Sequence, residues 1–295
     1  MDSIKEYIKL MRIKHYLKNF LIFIPIIVSG QLSSINKIPE IITGFISFCL
    51  LSSAVYCFND IKDVEKDREH PIKKNRPIAA RKISIKNAYC FMMSLTILAI
   101  LLNLTFIKIQ YNKIFILIAL ELLYLVINIA YSYGFKKIPI LDVTILMFGF
   151  IIRLMYGAQI TNIEISNWLY LTIMTGAFYM GFGKRRNEIK KQGDKSREVL
   201  KKYNKEFLDK FMYVCLILIV VFYCLWCIDI NTISRIGNGY IIWTVPLVLI
   251  ILMKYSLDIE MDSFGDPVDV ITNDKILISL SIFYAISFVV ILYIL

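Results

Sequence analysis

The chain has 295 residues, 58% hydrophobic and 19% charged, with 34 Lys and Arg against 23 Asp and Glu for a formal net charge of +11. A mean hydropathy of +0.64, with the charges gathered into blocks between long apolar runs, excludes an ordinary soluble enzyme and predicts a polytopic membrane protein. The basic excess suits the anionic cytoplasmic leaflet; no soluble basic domain is evident that would bind nucleic acid.

A helix that crosses the hydrocarbon core needs about 20 apolar residues. Nine stretches qualify, at roughly 20–36, 40–58, 88–107, 114–131, 138–158, 166–183, 211–229, 239–255 and 276–295, predicting an all-α integral membrane protein organised as one polytopic domain over 1–295. The first stretch follows a charged amphipathic segment and lacks a cleavage site, so it is expected to be a retained helix and not a signal peptide. With the amino terminus inside, segments 1–18, 59–87, 132–137, 183–210 and 254–275 hold 29 of the 34 Lys and Arg. The opposite loops keep only Lys37, Lys108, Lys113 and Arg235. The positive-inside rule therefore predicts a multi-pass protein of the cell membrane, with its amino terminus cytoplasmic and its carboxyl terminus outside. All six cysteines lie in or beside apolar segments; Cys224 and Cys227 have a CxxC spacing, but no partner pair makes a zinc site or disulfide of them.

Where the second apolar run ends, carboxylates stack at helical spacing. At about 100° per residue, Asn59, Asp60, Asp63 and Asp67 fall within about a quarter turn and can face one cavity. Like charges at these spacings repel, and a bound cation reverses that sign. Magnesium usually takes one or two carboxylates plus water and substrate oxygens, which suits a short acidic face. The same charges also suit a solvated helix end whose acids pair with Lys62, Lys66 and Arg68. Pro71 ends this segment, and the loop to Lys82 brings Lys73, Lys74 and Arg76 directly after the acids. That order matches a phosphate-rich ligand, with metal on some oxygens and cations on the rest; a plain positive-inside loop has the same composition.

Further along, Glu121 and Arg153 lie inside apolar runs and Glu40 and Asp142 near their ends. Each invites a functional reading, with Asp142 able to line the cavity of the first acidic cluster and Glu121 better suited to structural pairing. Gly183-Lys184-Arg185-Arg186-Asn187-Glu188 sets three consecutive cations at a membrane boundary, where an anionic lipid headgroup would bind; a Lys184–Glu188 pair within a helix hairpin is the alternative. Asp258, Glu260, Asp262, Asp266 and Asp269 form a third cluster, whose spacing is weak for metal.

Asn59-Asp60-x-x-Asp63-x-x-x-Asp67 followed by a basic loop resembles the first aspartate motif of the UbiA superfamily of intramembrane prenyltransferases. The longer text through Pro71, with Arg76-Pro77-Ile78-Ala79-Ala80, resembles the decaprenyl-phosphate phosphoribosyltransferase branch. The likeness continues through Arg12 to Asn19, Tyr131-Ser132-Tyr133-Gly134, Leu141-Asp142 to Gly157, Gly183-Lys184-Arg185 and Gly265-Asp266-Pro267-Val268. It implies a nine-helix UbiA-like bundle with a cytoplasm-facing active-site cavity, capped by loops 59–87 and 183–210. It also implies Mg2+, 5-phosphoribosyl 1-diphosphate as donor and a polyprenyl phosphate as acceptor. Where the wider superfamily carries a second aspartate-rich motif, this chain reads Gly-Lys-Arg-Arg-Asn-Glu, which favours a lipid phosphate over a second metal-bound diphosphate.

The implied roles follow. Asn59, Asp63 and Asp67 are assigned to the metal and Asp60 to the same shell or to the cationic ribose; Asp60, Asp63 and Asp67 are the catalytic set. Lys73, Lys74 and Arg76 are assigned to donor phosphates. Lys18, Lys184, Arg185 and Asp142 are assigned to the lipid phosphate or the ribose 5-phosphate. Two rival functions stand beside this one. An isoprenyl transferase acting on an aromatic or small acceptor would use the same first motif. A membrane transporter would place charged sites near the bilayer midplane in repeated halves, whereas here the polar groups collect at one face.

Overall fold

The computed structural model describes residues 2–30, 37–105, 111–192, 198–261 and 266–295. Lys108, Asp262, Gly265 and the 193–197 part of loop 183–210 lie outside the described residues. In chain order the helices are α1 (Asp2–Met11), α2 (Ile24–Val28), α3 (Ile38–Lys62), α4 (Val64–Glu69), α5 (Ile85–Asn103), α6 (Tyr111–Tyr133) and α7 (Leu141–Thr161). They continue with α8 (Asn167–Gln192), α9 (Lys205–Ile228), α10 (Ile230–Ile236), α11 (Val245–Glu260), α12 (Pro267–Asn273) and α13 (Lys275–Tyr293). No strand occurs among the described residues.

Among the described residues, seven helical segments, namely α3, α5, 113–133 of α6, α7, α9, 240–260 and α13, are long and apolar enough to cross a membrane. Two expected spans look different. The run 20–36 does not form one helix, because Ile13–Phe23 is a 3₁₀ stretch that passes into the five-residue α2, where Pro25 withholds a backbone N–H. The run 166–183 is helical but continues to Gln192, carrying the basic cluster within α8. Large apolar side chains such as Phe115, Val126, Ile217, Met253 and Phe283 stay exposed, which suits contact with lipid tails.

The chain forms two compact units: Met1–Ile24 with Ser34–Phe135 and Ile152–Asn162, and Pro25–Ser33 with Lys136–Ile151 and Ile163–Leu295. In the first unit, α1, α3, α4 and α5 share an apolar core that includes Leu10, Ala54, Cys57, Ile61, Ile78 and Leu95. Lipid gives apolar helices little reason to associate, so close packing through small residues and internal hydrogen bonds matters more. Gly157 shows this: a Cβ there would lie 2.0 Å from the Ile22 carbonyl oxygen. The buried Arg153 and Glu121 find neutral polar partners inside the unit, although Glu121 Oε2 has no hydrogen-bond partner among the described residues. Arg153 donates to Asn19 Oδ1 at 2.7 Å and to the Tyr124 hydroxyl at 3.0 Å, with its guanidinium over the Phe48 and Tyr124 rings. Glu121 accepts from Ser47 at 2.6 Å and Tyr156 at 3.1 Å, the structural pairing anticipated for it.

In the second unit, α8 and α9 pack around Val143, Tyr179, Phe182, Leu200, Leu208, Met212 and Ile259. Gly181 sits where a Cβ would come within 2.5 Å of the Val143 side chain. Polar caps fix where the helices start. Asn204 accepts from Phe207 N at 2.6 Å to open α9, and Asp274 accepts from Leu277 N at 2.7 Å to open α13; such caps are each worth about 1 kcal/mol. Asp266 caps α12, with Pro267 in the first helical turn, where its missing N–H has no intrahelical role.

Candidate functional site

The acidic motif straddles a helix break. Helix α3 ends at Lys62, Asp63 takes φ −96° and ψ 9°, and α4 begins at Val64. The expected unbroken acidic face is therefore interrupted, although Asp67 N still reaches Asp63 O at 2.8 Å. What gathers the acids is Arg76, whose Nη1 donates to Asp60 Oδ1 at 3.0 Å and Asp67 Oδ2 at 2.6 Å. Asp60 and Asp67 are only 2% and 3% exposed, so each carboxylate needs such a countercharge. Asn59 and Asp63 are half-buried, and Asn59 Oδ1 accepts from the Ser132 hydroxyl.

A second guanidinium reaches the same carboxylate. Arg12 pairs with Asp60 Oδ1 and lies 4.9 Å from the centroid of the Tyr56 ring, in a left-handed conformation with φ 55° where α1 gives way to the 3₁₀ stretch. The sequence offered Arg12 only within a stretch of family resemblance. Its one physical signal is that a buried Asp60 requires a strong cation from elsewhere in the chain.

The basic loop is fixed locally and by α1. His70 Nδ1 accepts from the backbone N–H groups of Ile72 and Lys73 at 3.2 and 3.3 Å. Lys9 donates to Asn75 O at 2.9 Å, and Lys82 pairs with Glu6 at 2.6 Å, which holds the Glu6 carboxyl below its usual range. Pro77, Ile78 and Ala79 are buried, Lys73 is half-buried and Lys74 is exposed. Lys18 sits half-buried on the 3₁₀ stretch.

Both arginines engage Oδ1 of Asp60 and Arg76 engages Oδ2 of Asp67, so one oxygen of each buried carboxylate lies outside these ion pairs. No group of three His, Cys, Asp or Glu converges among the described residues. A magnesium ion completed by water and phosphate oxygens needs no such cage, and the oxygen-only donor set of Asn59, Asp60, Asp63 and Asp67 fits that hard cation.

The second unit carries another charged cluster, and here the structure changes the expectation. Arg185 is fully buried: Nε donates to Asp142 Oδ2 and Nη1 to Glu188 Oε2, both at 2.6 Å. The spacing anticipated for a Lys184–Glu188 pair is thus replaced by Arg185–Glu188. Lys184 instead donates to Asp266 Oδ2 at 2.9 Å, and Arg186 pairs with Asp209 and approaches Glu260 at 3.9 Å. All three cations face protein carboxylates, because a buried charge without a partner is strongly destabilising. Asp142, also fully buried, receives a further hydrogen bond from the Tyr203 hydroxyl at 2.7 Å. Burial raises the Tyr203 pKa above the ordinary phenol range. In the third cluster, Asp258 pairs with Lys254, which also reaches Asp274 at 2.7 Å.

The helical membrane fold and its acidic, arginine-bridged helix end are consistent with an intramembrane transferase, the class that comparison with known proteins supplies. The UbiA prenyltransferase family matches residues 22–263, and this chain belongs to that family. It is similar to decaprenyl-phosphate phosphoribosyltransferase from Corynebacterium glutamicum, with 31% identity over 97% of this chain and 86% of that one. The protein of the same description from Mycolicibacterium smegmatis is 30% identical over 94% of this chain and 89% of its own length. Among solved structures, a UbiA homolog from Archaeoglobus fulgidus bound to GPP and Mg2+ superposes with a TM-score of 0.68 at 18% identity, covering 96% of this chain and 99% of that one. A digeranylgeranylglyceryl phosphate synthase gives 0.66 at 19% identity, covering 98% of each. These structures establish the shared fold of a multi-pass membrane protein.

Proposed function

We propose that this chain transfers the 5-phosphoribosyl group of 5-phosphoribosyl 1-diphosphate to a polyprenyl phosphate and releases diphosphate. The observation that carries the reading is the near-full-length likeness to relatives described as decaprenyl-phosphate phosphoribosyltransferases. The charged side chains described above suit it.

In this reading Asn59, Asp63 and Asp67 hold Mg2+, with Asp60 in the same shell or opposite the cationic ribose. Bound magnesium would neutralise charge on the departing diphosphate. Arg76, with five N–H donors, keeps donors for phosphate oxygens after bonding Asp60 and Asp67. Arg12 has the same capacity, and Lys73 and Lys74 add positive charge from the loop. The C1–oxygen bond to diphosphate breaks, and a bond from C1 to a lipid phosphate oxygen forms. That phosphate is already ionised at neutral pH, so no side chain has to act as base, and positioning of the two anions supplies the rate. Lys18, Lys184, Arg185 and Asp142 are assigned to the lipid phosphate or the ribose 5-phosphate, Asp142 acting through its ion pair with Arg185. The amino terminus is cytoplasmic, which gives the soluble donor access to loop 59–87.

Purified protein with Mg2+ and labelled phosphoribosyl diphosphate should release diphosphate only when polyprenyl phosphate is added. Release driven by an isoprenyl diphosphate and an aromatic acceptor, with phosphoribosyl diphosphate ignored, would overturn the reading. Asp63→Asn and Asp67→Asn should each lower turnover by orders of magnitude at limiting magnesium, since each removes charge at nearly constant volume.

A further inference from the structure

The elbow before α7 holds a conformation its sequence does not favour. Ile140 has φ 69°, a left-handed backbone that β-branched residues rarely adopt. Its side chain is exposed, so packing of the side chain does not hold it there. The Tyr203 hydroxyl does: it accepts from Ile140 N at 2.6 Å and donates its proton to Asp142 Oδ1 at 2.7 Å. Asp142 Oδ2 in turn receives Arg185 Nε at 2.6 Å. The segment before α9 is tied to the same elbow by Lys137–Glu198 at 2.7 Å. Backbone strain of this kind persists where the surroundings over-determine it, and it gathers at functional sites.

We infer that Tyr203 is a positioning residue of the transfer reaction: its hydroxyl fixes the Asp142 carboxylate, and through it the fully buried Arg185 guanidinium, which sets the helix end assigned to the anionic substrate. The inference rests on the proposed assignment of Asp142 and Arg185 to that substrate. One hydroxyl does two things here, holding the elbow and aiming the carboxylate. With Tyr203 in place, Asp142 has a donor on each oxygen and cannot rotate to offer Arg185 a different geometry. Without the hydroxyl, the ring still packs against Phe207, but the elbow N–H and one carboxylate oxygen both lose their partner.

The two roles separate experimentally because glycine accepts φ near +69° without strain. Tyr203→Phe should raise KM for the anionic substrate about tenfold or more, leave kcat within about threefold, and lower the melting temperature. Adding Ile140→Gly to Tyr203→Phe should restore the melting temperature and leave KM raised, whereas Ile140→Gly alone should keep the wild-type KM. If Ile140→Gly instead restores KM together with stability, Tyr203 only braces the elbow and the inference is overturned. An unchanged KM in Tyr203→Phe overturns it equally. KM is read for whichever anionic donor and lipid acceptor the wild-type protein uses, so a wrong donor would refute the phosphoribosyl reading without deciding the role of Tyr203.

Discussion

Replacing Arg76 with Gln removes the cation shared by two buried carboxylates, and the structure sets the size of the effect. Arg76 makes charge-assisted hydrogen bonds of 3.0 Å to Asp60 and 2.6 Å to Asp67, each worth about 1.5–3 kcal/mol. Asp60 retains Arg12, so its loss is partial. Among the described residues Asp67 has no such second arginine, and Arg68 pairs with Glu65 instead. Arg76 is itself 27% exposed, and water takes back part of the interaction. The expected destabilisation is about 2–4 kcal/mol, concentrated on Asp67. A double-mutant cycle isolates it: Arg76→Gln, Asp67→Asn and the pair, each unfolded by denaturant in detergent, should show a coupling of about 1.5–3 kcal/mol. Exposed ion pairs give about 0.2–1 kcal/mol. A coupling below about 0.5 kcal/mol would mean that Arg76 does not anchor the acidic segment, and the arginine-bridged site would be wrong.

Three further outcomes are expected. Gly157→Ala should destabilise by more than about 3 kcal/mol, because its methyl would meet the Ile22 backbone at 2.0 Å, while Gly176→Ala, with nothing within 4 Å, should gain up to about 1 kcal/mol from helix propensity; equal effects in thermal unfolding would refute the packing. Lys254, then the Leu277 N–H, hold the Asp274 pKa below its ordinary 3.8, so its contribution is full above that value and is lost as pH falls through the lower folded value. Asp274→Asn should therefore flatten the fall in stability at acid pH, and an unchanged acid limb would count against the cap. In a background free of native cysteines, a cysteine at exposed Asn231 should react with an impermeant label on intact cells and one at exposed Lys74 should not; the reverse pattern would invert the membrane orientation.

Most helices were legible because an apolar run of spanning length has few alternatives in a membrane. The run 20–36 failed as a single helix because hydropathy says nothing of the 3₁₀ geometry and Pro25 that divide it. At the site, Asp60 and Asp67 were legible as a helical pattern, but their partners were not. Arg12 reaches Asp60 across 48 residues and Tyr203 reaches Asp142 across 61, and no local spacing announces such pairs. The basic run Lys184-Arg185-Arg186 looked like open phosphate-binding charge because, apart from Glu188, its carboxylates Asp142, Asp209 and Asp266 lie far away in sequence. Arg185 shows the consequence most clearly: a fully buried arginine is first a partner for buried acids, and any hold on substrate passes through that network.

The most direct measurement is the mass of the lipid formed when purified protein, Mg2+, isotope-labelled phosphoribosyl diphosphate and polyprenyl phosphate are incubated together. The expected product is the polyprenyl phosphate heavier by one labelled phosphoribosyl unit, formed in step with diphosphate release and absent in Asp67→Asn. An unmodified lipid, with an aromatic acceptor prenylated instead when isoprenyl diphosphate is supplied, would contradict it.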